Sequence, residues 1–329
     1  MIWELDGVSV GHWHDAGART GCTVVLFDPA VTASGEVRGS APATRELALL
    51  DPSATVQAID AVVLSGGSAF GLDAATGVVE WCEEHDRGVP TIAGRVPIVV
   101  AMSLFDLAVG DATVRPGAEH GRVAVDRAAA PGGGSRELGL IGVGTGATAS
   151  KWRGIEDAAP AGLVGAIRRD GDLVVATLVA VNPWGDVRGA AHDGEPWPEI
   201  VPSGAAIGSG PDPSDPSDLS DPSDPSDTLG PTNTTIGVVV TNARLDKLGC
   251  LHVARGAHDG LARAITPPHS HVDGDAFVAA ATGQVDAPVA LVRAHAVEVV
   301  DEAIRSVSAH ADLHPGEAAP VEGDPPERR

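Results

Sequence analysis

The sequence predicts a layered α/β domain of the α+β kind, with mixed sheets flanked by helices, and three observations carry that prediction. Apolar β-branched runs of strand length recur along the chain among amphipathic stretches of helical period. One pair of runs, "GLVGAIRRDGDLVVATLVAVN" (162–182), reads as a hairpin about Asp170-Gly171, because Asp-Gly suits a two-residue hairpin turn. Another, "TIGVVVTNA" (235–243), is apolar at consecutive positions, as a strand covered on both faces requires. Hairpins interspersed with helices favour mixed sheets over an all-parallel one.

In chain order, "AIDAVVLSGG" (58–67) is a short apolar strand ending in a glycine turn. "SAFGLDAATGVVEWCEEHDRG" follows as a helix, with Leu72, Ala75, Val79 and Cys82 on one face and Gly88 as its stop. The hairpin 162–182 and the covered strand 235–243 come next. "LHVARGAHDGLARAI" sets Leu251, Ala254, His258, Leu261 and Ile265 on one helical stripe. "FVAAATG" (277–283) is another short strand, and "PVALVRAHAVEVVDEAIRSV" (288–307) a final amphipathic helix. Two segments fall outside the fold. Residues 211–227, "PDPSDPSDLSDPSDPSD", have nothing to bury, repelling aspartates and donor-less prolines, so residues 211–230 read as a solvated linker. The Pro/Glu-rich tail from about Gly316 to Arg329 is expected to fray. The linker separates residues 1–210 from 234–315, yet neither reads as an independent domain. The strand at 235–243 needs a cover, most simply the earlier piece, so both belong to one domain.

With 329 residues, 43% of them hydrophobic, the chain is long enough for a sizeable core. Lysine and arginine total 22 against 45 acidic residues, a formal charge of −23. Such a surface repels phosphate backbones, so nucleic acid is not an expected partner. Three scattered cysteines, Cys22, Cys82 and Cys250, form neither a disulfide framework nor a zinc spacing, and a reduced cytoplasm is expected. "MIWELDGVSV" lacks the basic start and apolar stretch of a signal peptide, and "VPIVVAMSLF" is too short to span a bilayer. No membrane association is expected.

The seam between linker and covered strand, Asn233-Thr234-Thr235, holds the first candidate chemistry. A threonine hydroxyl is a poor nucleophile until a base stands beside it, and a free α-amine on the same residue is such a base. That amine titrates at about 7.7–8.0 when unperturbed, close to neutral pH. It exists only if the chain is cut before Thr234, for instance by attack of the hydroxyl on the Asn233 carbonyl and hydrolysis of the resulting ester. The plain alternative is that Asn-Thr-Thr begins a strand. In "HSHVDGDAF" (269–277), Asp273 and Asp275 are two apart, so in extended chain both carboxylates face one way. They read as a catalytic pair, as a solvated Asp-Gly turn, or, with His269 and His271, as metal ligands. His12 and His14 in "GHWHD" form a second, weaker His-x-His.

Lysine occurs only at Lys151 and Lys247. Lys151, after the glycine-rich run in "GVGTGATASKWRG", is a candidate base if buried and a surface lysine otherwise. Asn182, before Pro183, is a candidate oxyanion donor or a turn asparagine. "SGGSAFG" lacks the Gly-Lys-Ser/Thr ending of a P-loop, and no helical stripe follows "GVGTGA", so nucleotide binding is rejected.

Taken together, "VRGSAPATRE", "LSGGSAFGLDAATG", "GVGTGATASKWRG", "VAVNPWGDV", "NTTIGVVVTNARL" and "HDGLARAITPPHSHVDGDAFVAAATG" resemble the self-cleaving peptidase family of L-aminopeptidase D-amidase/D-esterases, and within it the nylon-oligomer (6-aminohexanoate-oligomer) hydrolase branch. The resemblance runs from about Gly7 to Val307. It implies an N-terminal-nucleophile hydrolase with an αββα-type sandwich, cut into a large and a small chain that stay together. By the same resemblance Asn233/Thr234 is the scissile bond and Thr234 the nucleophile. Lys151 matches the catalytic lysine, Asn182 the oxyanion asparagine, and Asp273 and Asp275 the paired carboxylates; no cofactor or metal is implied. Serine-type members carry a tyrosine near the site; this chain has no tyrosine, and Ser150 stands about there. The expected activity is hydrolysis of short linear amides: small peptides, amino-acid amides or 6-aminohexanoate oligomers. The expected partners are that substrate, the chain's own cleaved fragment and further copies in a homo-oligomer. A strict aminopeptidase, a metal-dependent hydrolase built on "HSHVDGD", an acyl transferase of related fold and an uncut binding protein are the alternatives.

Overall fold

The computed structural model describes residues 1–132, 134–190, 233–310 and 312–319. The 211–230 linker lies outside them. The first stretch contains β1 (Val8–Asp15), β2 (Thr20–Val37), β3 (Ala43–Arg45), β4 (Ala58–Ser65), α1 (Ser68–Gly71), α2 (Ala74–Glu84), β5 (Val89–Thr91), β6 (Gly94–Val96), β7 (Val99–Ser103) and α3 (Ala118–Ala128). The second contains β8 (Leu138–Gly139), β9 (Thr148–Ala149), β10 (Ala159–Pro160), β11 (Gly162–Asp170), β12 (Leu173–Val181) and β13 (Asp186–Val187). After residue 233 come β14 (Ile236–Ala243), α4 (Lys247–Ala264), β15 (Ile265–Thr266), β16 (Ala276–Val285), α5 (Val289–Arg305) and β17 (Ala318–Ala319).

The large sheet runs β17-β8-β11-β12-β14-β16-β2-β4-β7-β3, with β1 added to β2. It is mixed: β14 runs parallel to β16 and β4 to β7, among antiparallel neighbours. The sheet doubles over at β2. The register of β2 on β4 breaks between Leu26 and Val31, and beyond the break β2 pairs with β16. The amide of Asn182, just after β12, donates to the carbonyl of Phe105, just after β7, at 3.0 Å. That bond sets the ends of the two halves of the sheet face to face.

Side-chain alternation then makes three cores. Ala176, Leu178 and Ala180 of β12, Val238 and Val240 of β14, and Val278 of β16 meet Val25 and Phe27 of β2, Leu64 of β4 and Met102 of β7 between the two halves. The intervening residues Val175, Val179, Val239, Phe277 and Ala279 pack against α4 and α5. On the far side, Val24, Leu26, Ala61, Val63 and Val99 pack against α2 and α3. Helix, sheet, sheet, helix is the layer order, so strands such as β12 and β14 are apolar at every position because both their faces are covered. Each buried Val or Leu contributes roughly 1.5–3 kcal/mol of transfer free energy. Among the described residues no helix is long and apolar enough to cross a membrane.

Four details differ from the sequence reading. Residues 68–88 are two helices, because the backbone between them tightens to i→i−3 bonds, Asp73 N–H to the Phe70 carbonyl at 3.2 Å and Ala75 N–H to that of Leu72 at 3.2 Å; the Asp73 carboxylate accepts the first N–H of α3, at Ala118, at 3.2 Å. The buried face of α2 is Ala74, Ala75, Gly77, Val78, Trp81 and Cys82, with Val79 only half-buried. Glycines rotate it: a Cβ on Gly77 would lie 1.9 Å from the Ala118 carbonyl oxygen, and one on Gly121 would lie 1.8 Å from that of Ala74. The hairpin turns at Gly171-Asp172, one residue later than expected, since Asp170 still pairs with Leu173 and Gly171 takes the left-handed φ of +56°. Of the tail, residues 316–319 are described, and Ala318–Ala319 pair with β8.

Candidate active site

Register alone brings the chemistry together. Ala180 of β12 stands opposite Ile236 of β14, so two residues further on Asn182 comes opposite Thr234. Ile236 stands beside Ala276 of β16, and the same offset bridges Asn233 to Asp273. The Thr234 N–H donates to the Asn182 carbonyl at 2.9 Å. The Gly274 N–H, between the two aspartates, donates to the Asn233 carbonyl at 3.0 Å. The Thr234 hydroxyl donates to that same Asn233 carbonyl oxygen. A Cβ on Gly274 would lie 2.7 Å from Thr234 Oγ1 and 2.4 Å from the Ala41 carbonyl oxygen, so only glycine fits here.

Lys151 enters from a single helical turn that follows Ser150, which has a left-handed φ of +68°. It is 4% exposed. Its Nζ donates to the Thr148 carbonyl at 2.8 Å, the Asn182 carbonyl at 3.3 Å and Asn182 Oδ1 at 2.6 Å. The Asn182 carbonyl therefore accepts from both the lysine and the amide nitrogen of Thr234. Burial lowers the lysine's pKa to about 7, against the opposing pull of the Asp273 and Asp106 charges. The Asn182 Oδ1 is fully used, since besides Lys151 it accepts the Thr148 N–H at 3.0 Å, while one of the two Nδ2 donors goes to the Phe105 carbonyl.

The two carboxylates hold backbone. Asp275 Oδ1 accepts the Thr235 N–H at 2.7 Å, and its Oδ2 bonds His269 Nδ1 at 2.8 Å. Asp273 Oδ1 accepts the Trp184 N–H at 3.1 Å, and its Oδ2 accepts both donors of Ser270. Asp273 acts on Lys151 through space, since the lysine's hydrogen bonds go to Thr148 and Asn182. Burial first, and the neighbouring Asp275 second, push the Asp273 carboxyl above the usual range. Asn233, Thr234, Lys151, Asn182, Asp273 and Asp275 are all buried and form one contiguous cluster.

Sequence reasoning missed Asp106. Its Oδ1 accepts the Gly67 N–H at 2.7 Å, its Oδ2 accepts the Thr20 hydroxyl at 2.8 Å, and burial raises its pKa to about 6. The available signal was a lone carboxylate closing the apolar run 97–105. Asp106 also accounts for a glycine of "SGGSAFG": its Oδ2 lies 2.0 Å from where a Cβ on Gly66 would stand. His269, read as a possible metal ligand, is tied to Asp275, while His271 is exposed and lies edge-on to Trp184 at 6.4 Å. His12 bonds the Thr23 hydroxyl, and burial lowers its pKa to about 3. Among the described residues no three of His, Cys, Asp and Glu gather as a metal-binding group.

The chain is thus a four-layer αββα sandwich with a buried threonine, lysine, asparagine and two aspartates gathered at its strand ends. The L-aminopeptidase D-Ala-esterase/amidase of Ochrobactrum anthropi, described as a variant of the N-terminal-nucleophile hydrolase fold, superposes with a TM-score of 0.65 at 20% identity, over 94% of this chain and 85% of that one. The sequence model of peptidase family S58 matches residues 1–317, and the chain belongs to that family. It is accordingly a peptidase or amidohydrolase. An uncharacterized aminopeptidase of Mycobacterium leprae is 41% identical over 298 residues, 87% of this chain and 79% of that protein. A 6-aminohexanoate-oligomer endohydrolase of Paenarthrobacter ureafaciens is 27% identical over 296 residues, 88% of this chain and 76% of that protein. A beta-aminopeptidase of Burkholderia sp. superposes with a TM-score of 0.65 at 21% identity, over 97% of this chain and 89% of that one.

Proposed function

We propose that the chain cuts itself between Asn233 and Thr234 and then hydrolyses short linear amides with Thr234 as an N-terminal nucleophile. The observation that carries this reading is the Thr234 hydroxyl resting on the Asn233 carbonyl, whose oxygen also receives the Gly274 N–H. Attack of Oγ1 on the Asn233 carbon breaks the C–N bond and gives an ester, with the nitrogen taking up a proton to become the amine of Thr234. Water then hydrolyses the ester, leaving the Asn233 carboxylate and a free threonine. Gly274 supports the charge that develops on the Asn233 oxygen.

In the cut enzyme the threonine hydroxyl attacks the substrate amide and forms an acyl-enzyme. The α-amine of Thr234 and neutral Lys151, both beside the Asn182 carbonyl, carry the hydroxyl proton to the leaving amine. The Asn182 amide stabilises the oxyanion with its second Nδ2 donor, keeping the other on Phe105. Asp275 fixes the strand through Thr235, and Asp273 counterbalances the lysine. Water releases the acyl group. The substrate class, small peptides, amino-acid amides or 6-aminohexanoate oligomers, is inferred from the resemblance and from what the relatives are named for. Three free, buried cysteines favour a reduced cytoplasm as the compartment.

Intact-mass analysis of the denatured protein tests the reading. Two pieces, one ending at Asn233 and one beginning at Thr234, are expected, with a single uncut chain and no amidase activity in Thr234→Ala. An uncut wild-type chain that nevertheless hydrolyses amides would overturn the nucleophile assignment.

A further inference from the structure

Two residues past Asn182 stands Trp184, and directly after Lys151 stands Trp152. Their indole centroids are 5.9 Å apart with planes tilted by 58°. The Trp184 carbonyl accepts the Trp152 N–H at 3.1 Å, and the Trp184 N–H donates to the Asp273 carboxylate. Trp152 Nε1 donates to Asp186 Oδ1 at 2.8 Å, and Arg153 clamps the same carboxylate at 2.7 Å. The exposed ring of His271 stands at the edge of Trp184. Both indoles are half-buried, and neither belongs to the three cores. In a protein with only 3% aromatic residues and six tryptophans, two indoles beside the catalytic lysine and aspartate call for a reason other than core packing.

We propose that Trp184, flanked by Trp152 and His271, is the subsite that receives the apolar part of the substrate, an aromatic side chain or a run of methylenes next to the scissile amide. This rests on the hydrolase reading above. The wall is fixed before substrate arrives: backbone bonds tie Trp184 to Asp273 and Trp152, and Asp186 holds the polar edge of Trp152. An indole has only two side-chain torsions, so little side-chain entropy is lost when an apolar group packs against it. The contact selects for apolar surface near the reacting carbonyl and takes no part in proton transfer.

The test compares phenylalaninamide with glycinamide, following ammonia release by wild type, Trp184→Ala and Trp184→Phe, with self-cleavage of each followed by intact mass. Trp184→Ala is expected to raise KM for phenylalaninamide about tenfold, the scale of one lost apolar contact. The kcat for phenylalaninamide and both constants for glycinamide should stay within about twofold, and Trp184→Phe should restore most of the loss. Equal losses on both amides, or no loss on phenylalaninamide, would overturn the subsite. If wild type is cut but hydrolyses neither amide, the substrate class of the hydrolase reading fails by itself. Calorimetric titration with phenylalaninamide then decides the subsite: binding lost in Trp184→Ala upholds it, and binding that is absent or unchanged in the variant overturns it.

Discussion

Lys151 and Asp106 set the pH behaviour of the site. A lysine lowered to about 7 is largely neutral above that pH and able to take a proton, so kcat/KM should rise with pH through about 7. Replacing Lys151 by Met should remove that rise and lower kcat by about 10²–10⁴-fold, the range for losing a general base. Asp106 favours the charged lysine, so Asp106→Asn should lower the lysine's pKa further and move the rising limb toward lower pH. Asp106 also affects stability. Its folded pKa, about 6, lies above the unfolded value of 3.8, so the native state binds the extra proton between those pH values. Stability is therefore lost as pH rises from 3.8 to 6, by roughly 3 kcal/mol on the linkage relation. Asp106→Asn should melt at a higher temperature than wild type at pH 7.5 and at a similar one near pH 4, which thermal scans across that range would check. None of this was legible in the sequence, because a pKa depends on how deeply a group is buried and on the charges that neighbour it in space.

At the scale of elements, glycines decide how closely backbones approach. Gly274→Ala places a methyl against the Thr234 hydroxyl and the Ala41 carbonyl. Displacement of the attacking oxygen should slow self-cleavage by about 10²-fold, read as uncut chain over time by mass. Gly121→Ala would push α3 away from the Ala74 carbonyl on α2 and should cost about 1–3 kcal/mol in urea unfolding, with the cut unaffected. The strands β4, β12, β14 and β16 were readable because full apolar runs mark strands covered on both faces. The break between α1 and α2 was not, since a local tightening to i→i−3 bonds leaves no mark in the side-chain period. The turn at Gly171-Asp172 was missed by one residue because Asp170 still had a cross-strand partner in Leu173.

For the whole molecule, the order β12-β14-β16-β2 places the strands that follow Asn233 between strands that precede it. Residues 234–319 thus supply the middle of the sheet and both helices of one outer layer, with apolar contacts on every side. A cut at Asn233/Thr234 should leave the two pieces in one particle. They should co-elute on gel filtration under native conditions, unfold in a single transition and part only in denaturant; elution as separate species would contradict this. The sequence by itself determined the layered α/β class, the strands with two covered faces, and the residue types suited to amide hydrolysis, because side-chain period and chemical identity are local properties. The resemblance added the family. Only the tertiary structure decided that Asn182 faces Thr234, that Gly274 supports the Asn233 carbonyl, that Asp106 acts on Lys151, and that Trp184 meets Trp152. Those contacts join residues far apart in the chain and are fixed by strand register and by the doubling of the sheet at β2.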